Sequence, residues 1–301
     1  MRFRIRHVTR YHYSRPVFLE PHQFRLLPRG GGSQRVHSYS LNIQPYPAGI
    51  TEILDAESNP SHYAWFDDLT THLTVDSCFE VETLRVNPFD YILSDLALAT
   101  VPVVYPESLL GTLQPYCSSR GADRSVYALA RATAQEVEWQ TVPFLSALTR
   151  KIHAHIEHVV REDGAAFPAA ETLRLRMGAC RDVAVLFIEA CRTLGLAARF
   201  VSGYELGAMR QDRAFMHAWA EVYLPGGGWR GFDPSRGLAT AESHIAVAAA
   251  RIPELAAPIS GSFRGTGVDS EISFDIHMEE VDAAGRHRTE DVHGEHKIPR
   301  L

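Results

Sequence analysis

The chain has 301 residues, 45% of them hydrophobic and 22% charged, which is room for about two globular domains and unlike a fibrous or largely disordered protein. Its net charge of −6 argues against a general nucleic-acid binder. No run approaches the ~18 apolar residues of a membrane span, and nothing after Arg10 reads as the apolar part of a signal peptide, so a cytoplasmic location without membrane contact is expected.

Residues 1–86 read as an all-β domain. Arg2, Arg4 and Arg6 alternate with Phe3, Ile5 and His7, the pattern of a half-exposed strand. The first 35 residues carry eight arginines against one acid, Glu20, and a solvated strand face explains them better than an anion-binding patch. Alternation recurs in Tyr39–Ile43 and Leu73–Val81, and the turn cluster Asp55–Pro60 joins Ile50–Leu54 to His62–Phe66. Residues 87–140 read as a connector with one helix, Ser125–Glu138. Pro102, Pro106 and Pro115 punctuate it, and apolar residues including Leu96, Leu98, Val103, Val104 and Tyr105 suit packing over a surface.

Residues 141–237 read as the core that carries the chemistry. A helix is predicted over Pro143–Val160, with Phe144, Leu148, Ile152, Ile156 and Val159 as its apolar stripe. It bears His153, His155 and His158, but only the last pair has a same-face spacing and no carboxylate is in register, so exposed helix polars are preferred to a metal site. Next comes the sequence Gly178-Ala179-Cys180-Arg181-Asp182, followed by Val183, Leu186, Phe187, Ala190 and Leu194 at helical spacing. A glycine turn therefore feeds a helix with a thiol at its first residue, and Gly195 sits where a left-handed cap is expected. At that end unpaired N–H groups and the helix dipole favour thiolate over thiol, and the thiolate is the nucleophile. Asp182 suits the dipole but opposes the thiolate.

The strand Leu196–Tyr204 follows, then a hairpin of Phe215–Leu224 and Trp229–Pro234 about the Pro225-Gly226-Gly227-Gly228 turn. A helix-terminal Cys180, a strand His217 and a neighbouring-strand Asp233 are the parts of an activated thiol nucleophile. Closing the hairpin symmetrically, however, pairs Leu224 with Trp229 and puts Asp233 on the face opposite His217. A bulge or an asymmetric loop is needed to join them. Trp219 and Trp229 read as packing aromatics, and Asp212 and Glu221 are the alternative acids. Residues 238–301 read as an extension with an alanine-rich stretch, a strand at Glu271–Met278 and a charged tail from Ala283. The four cysteines (Cys78, Cys117, Cys180, Cys191) are expected to be free, with Cys180 the reactive one.

The order Cys180…His217…Asp233, with the flanks Ala197–Tyr204, His217–Val222 and Gly228–Pro234, resembles the transglutaminase-like superfamily of cysteine acyl-transfer enzymes over about residues 140–237. More loosely, Arg10-Tyr11-His12-Tyr13 and Leu26-Leu27-Pro28-Arg29 resemble the β domain that opens bacterial members. The resemblance implies an α+β fold: a papain-like core, its nucleophile helix packed on an antiparallel sheet, preceded by an all-β domain. It also implies Cys180, His217 and Asp233 as catalytic residues, with no cofactor and no metal. The implied activity is acyl transfer from an amide bond of a peptide or protein through a thioester on Cys180. Hydrolysis leads narrowly, with transfer to a lysine amine and a catalytically idle scaffold as alternatives. After Asp233 the chain has Ala249-Ala250-Arg251-Ile252 where relatives carry a Gly-Arg-Asp-Tyr-like segment.

Overall fold

The structure is a computed structural model that describes residues 1–94, 98–119, 123–161, 164–206 and 215–282. Six strands come first: β1 (Arg2–Leu19), β2 (His22–Phe24), β3 (Gln34–Gln44), β4 (Gly49–Leu54), β5 (Pro60–Trp65) and β6 (Leu69–Thr83). Five helices follow, α1 (Glu107–Cys117), α2 (Arg124–Glu136), α3 (Thr141–His155), α4 (Ala169–Leu175) and α5 (Cys180–Thr193). The two-residue strands β7 (Glu157–His158) and β8 (Met177–Gly178) flank α4. Then come β9 (Ala198–Glu205), β10 (His217–Leu224), β11 (Gly228–Asp233), β12 (Leu238–Ala239) and β13 (His244–Ala250). The last three are β14 (Ile259–Ser260), β15 (Phe263–Arg264) and β16 (Ser270–Glu280).

The core sheet runs β12-β11-β10-β9-β13, and every pairing in it is antiparallel. On one face the helices bury Phe144, Leu148, Leu186 and Phe187 against Phe200, Ala220, Val222 and Phe232. Leu186 and Phe187 are fully buried because the 3.6-residue period of α5 aims one stripe at the sheet. A separate buried cluster joins Tyr204, Ile245 and Val247 to Phe3, Ile5, Phe79 and Val81 of the first β region. Helices packed on an antiparallel sheet, preceded by an all-β region, make the α+β architecture read from the sequence.

The alternation in β1 does what its pattern requires. Phe3 and Ile5 are buried, while Arg2 and Arg4 reach Glu80 at 2.7 and 2.6 Å and Arg6 reaches Asp76 at 2.6 Å across the strand pair. The chain from 238 onward is woven into both halves. It adds β12 and β13 to the core sheet, β14 to the β2-β5-β4 sheet, and β15 and β16 to the free side of β1. The charged tail expected from Ala283 lies outside the described residues.

Two elements differ from the sequence reading. The connector holds α1, with Pro115 inside it. The helix expected to reach Val160 stops at His155, because Glu157 and His158 leave it to pair in parallel with Met177 and Gly178. Glu157 N–H donates to the Arg176 carbonyl at 2.8 Å and Val159 N–H to that of Gly178 at 3.0 Å, which satisfies backbone that the helix would otherwise have used.

β13 is an edge strand, and its outer backbone groups are met by side chains. The Asn59 amide donates to the Ala249 carbonyl at 3.0 Å and accepts from its N–H at 2.8 Å. The Gln34 amide does the same for Ala246, at 2.7 and 2.9 Å. Asn59→Ala leaves both Ala249 groups buried without partners, at about 1–3 kcal/mol each. Its urea midpoint should fall accordingly; an unchanged midpoint would show that these bonds carry no stability.

Candidate active site

Cys180 opens α5 after Ala179, whose extended backbone ends the preceding turn. The carboxylate of Asp182 reaches back and fixes that turn. It accepts the Ala179 N–H at 2.8 Å, the Phe167 N–H at 2.8 Å and Arg161 Nη2 at 2.9 Å, with no exposure to solvent. The acid that opposes the thiolate on sequence grounds is therefore neutralised by Arg161 and used to shape the helix start.

The hairpin brings His217 and Asp233 together by closing one residue tighter than the symmetric reading. Leu224 pairs with Gly228, Tyr223 with Trp229, and Ala220 with Phe232. Pro225 and Gly226 form the corner of a turn in which Gly227 N–H donates to the Leu224 carbonyl at 2.7 Å, with Gly226 at φ 89° and Gly228 at φ 68°. Only glycine adopts both values freely. A three-residue loop changes the parity of the ladder. Continuing the register puts Asp233 opposite Trp219, on the face that also carries His217.

His217 Nε2 lies 2.7 Å from Asp233 Oδ2. The other side of the ring faces Cys180, with which it shares a hydrogen bond. Asp233 Oδ1 accepts the Ser235 N–H at 2.9 Å, the Ser235 hydroxyl at 2.7 Å and the Arg236 N–H at 3.2 Å. Asp233 Oδ2 has a second partner, His244 Nε2, at 3.0 Å. A carboxylate only accepts, so His244 carries hydrogen on Nε2, and its Nδ1 lies 3.1 Å from the Ser243 hydroxyl. Trp219 covers both rings, stacked on His217 at 6.2 Å and edge-on to His244 at 5.2 Å.

The charges follow from this arrangement. Burial disfavours the Asp233 anion, but hydrogen bonds from His217 and His244 outweigh it and hold the group far below the usual carboxylate range. Burial likewise opposes a charged His217, yet Asp233 and the thiol raise it to about 10. Burial would push the Cys180 thiol up. Hydrogen bonds from His158 and His217, the His217 charge and the Ala218 N–H bring it down to about 6. Cys191, eleven positions along the same helix, has only burial of comparable weight and is pushed well above the ordinary thiol value. The thiol is thus drawn down and the imidazole up, each by the other, which favours thiolate and imidazolium as the resting pair.

His217, Asp233 and His244 are also the one group among the described residues with the makings of a metal site. Each of its nitrogens and oxygens already has a hydrogen-bond partner, so hydrogen bonding accounts for the cluster. The three histidines read as helix polars diverge: His153 Nδ1 meets the Ser235 carbonyl at 3.0 Å, His155 Nδ1 the Lys151 carbonyl at 2.7 Å, and His158 the thiol. Of the alternative acids, Glu221 pairs with Arg199 at 2.6 Å, and Asp212 lies outside the described residues. Sequence reasoning missed His244 and misplaced His158. The one sequence signal for His244 was that it begins an apolar run shortly after Asp233-Pro234.

A Mycobacterium leprae protein is 26% identical over 277 residues, covering 88% of this chain and 94% of its own, and is described as uncharacterized. A Mycobacterium tuberculosis protein, also described as uncharacterized, is 27% identical over 300 residues, with 94% of each chain covered. A solved structure from Cytophaga hutchinsonii, provisionally named a cysteine protease, shares the fold with a TM-score of 0.68 at 22% identity, covering 97% of this chain and 95% of that one. Residues 3–82 match the bacterial transglutaminase-like N-terminal region and residues 128–234 the transglutaminase-like superfamily core, so the chain belongs to the transglutaminase-like superfamily.

Proposed function

We propose that this chain is a cysteine acyl-transfer enzyme that hydrolyses amide bonds of a peptide or protein substrate through a thioester on Cys180. The observation that carries the reading is the Cys180–His217–Asp233 line, held so that the thiol rests as a thiolate beside an imidazolium. The thiolate attacks the amide carbon, and the carbonyl π pair moves onto oxygen. The Cys180 backbone N–H, free at the helix start, faces that developing charge. Collapse expels the nitrogen, which takes the proton from His217, and leaves the thioester. His217, now neutral, takes a proton from water as it attacks the thioester; the acid departs and the pair is restored. Asp233 holds the ring by Nε2 and stabilises its charged form throughout. An idle scaffold has no use for a buried carboxylate with five donors behind a charged histidine. Adding a primary amine during turnover tests for transfer: a product mass with the amine attached would replace hydrolysis with transamidation.

The pH dependence has a definite sign. The thiolate appears as pH rises through about 6, so alkylation of Cys180 by iodoacetamide should be half-maximal near pH 6. Cys117 and Cys191, both raised by burial, should label far more slowly there. A midpoint near 8.5 for Cys180, the value of an ordinary thiol, would remove the ion-pair reading.

The three residues should contribute unequally. Cys180→Ala removes the nucleophile and His217→Ala the proton carrier, so each should abolish single-turnover acylation. Asp233→Ala should cost about two orders of magnitude less, as in triads dissected elsewhere. The double variant His217→Ala/Asp233→Ala should be scarcely worse than His217→Ala, because the groups act as a unit. Acylation at the parent rate by folded Asp233→Ala would exclude Asp233 as the orienting acid.

A further inference from the structure

His158 stands on a short stretch clamped alongside the first turn of α5. Before it, Glu157 N–H is bonded to Arg176; after it, Val159 N–H is bonded to Gly178, at 2.8 and 3.0 Å. Further on, Arg161 is tied twice to the same helix start. Its guanidinium donates to Asp182 Oδ1 at 2.9 Å and its carbonyl accepts from Arg181 Nη1 at 2.7 Å. The register places His158 beside Gly178, two residues before the thiol. From there its ring hydrogen-bonds the Cys180 sulfur, which His217 meets from β10. A thiolate accepts only, so the His158 nitrogen facing it is a donor. Among the described residues, the charged groups on the elements that meet here are Asp182 and Arg181 on α5, Arg161 beyond β7 and Asp233 behind His217.

We propose that His158 is a second catalytic imidazole, donating to the Cys180 thiolate at rest and to the substrate's carbonyl oxygen as that oxygen becomes negative. The proposal rests on the thioester chemistry above. When sulfur spends its lone pair on the new S–C bond, its negative charge reappears on an oxygen bonded to the same carbon. A donor already beside the sulfur needs only a small shift to follow the charge. Collapse returns the pair to the C=O bond, the leaving group takes its proton from His217, and His158 keeps its own throughout. With the Cys180 N–H this completes a two-donor oxyanion site, built before substrate arrives.

Two reagents separate the roles. Iodoacetamide alkylates the thiolate with no oxyanion, whereas p-nitrophenyl acetate acylates it through one. In His158→Ala the alkylation midpoint should rise, and a one-unit rise from about 6 slows alkylation at pH 6 about fivefold. At a pH where alkylation has levelled off in both proteins, ester acylation should remain down about 10²–10³-fold, the cost of removing one oxyanion donor. His158→Gln, which keeps an N–H donor, should recover part of both. Equal plateau acylation in folded His158→Ala and the parent would overturn the proposal, as would a Gln variant no better than Ala. Failure of the ester to acylate a parent that iodoacetamide labels would also overturn it. Should the Ala variant not fold, the ring ¹⁵N signals of His158 in the unaltered protein decide: they should move when Cys180 is capped with a methylthio group, and unmoved signals overturn the contact. Both reagents act whatever amide is the natural substrate. A chain that takes acyl groups from the ester and never from peptides would lose the amide-cleaving function and keep this one.

Discussion

The buried carboxylate of Asp182 is the constraint on which the site depends. An aspartate in the first turn of a helix is worth a fraction of a kcal/mol at a surface. Here it is fully buried and satisfied from three directions: its own helix start, the Phe167 backbone and the Arg161 guanidinium. Removing the Arg161 guanidinium leaves that charge unpaired in low dielectric, the situation in which breaking a buried pair costs about 3–5 kcal/mol. The Cys180 turn, the approach to α4 and the His158 stretch therefore share one electrostatic anchor. The position of the thiol follows from that anchor rather than from packing of the cysteine itself, which remains half-buried at the helix end.

A second buried carboxylate, Asp233, works by a different logic. Asp182 is neutralised by a guanidinium that never gives up its proton, so it is inert. Asp233 faces an imidazole whose proton moves in the proposed reaction. Its charge is spread over donors at both oxygens: Ser235 and Arg236 on Oδ1, His217 and His244 on Oδ2. That spreading keeps it ionised while the ring alternates between charged and neutral forms. Two aspartates that differ in nothing but their partners thus serve geometry in one case and, in the proposed reaction, proton transfer in the other.

What the sequence reveals and what it hides divide along the range of the interactions. The helix start at Cys180, the apolar stripe of α5 and the alternation of β1 are local patterns, and they predict the elements and the fold class. The relation of His217 to Asp233 depends on whether the loop spans three residues or four, and three successive glycines permit either. His158 falls at a polar position within the apolar rhythm of Ile152, Ile156 and Val159, so its departure from the helix is decided by Met177 and Gly178, nineteen or more positions away in the chain. His244 has no local signal of any chemistry. It reaches Asp233 only because β13 pairs with β9, setting His244 opposite Glu205 and Ile245 opposite Tyr204.

That last dependence gives the first β region a part in the site. Among the described residues β13 has β9 on one side and no strand on the other, and an unpaired edge frays or recruits a foreign strand. Gln34 and Asn59 supply in its place the donor and acceptor that a neighbouring strand would offer, at Ala246 and Ala249. Asn59 is itself held by Asp55, which Arg25 pairs at 2.8 Å in a nearly dry setting. Beneath this, Phe3, Ile5, Phe79 and Val81 pack on Ile245 and Val247. The N-terminal sheets hold none of the residues of the Cys180–His217–Asp233 line. They fix the strand whose first residue, His244, shares the carboxylate oxygen with His217, and so the orientation of the imidazole is tied to the packing of the N-terminal sheets on β13.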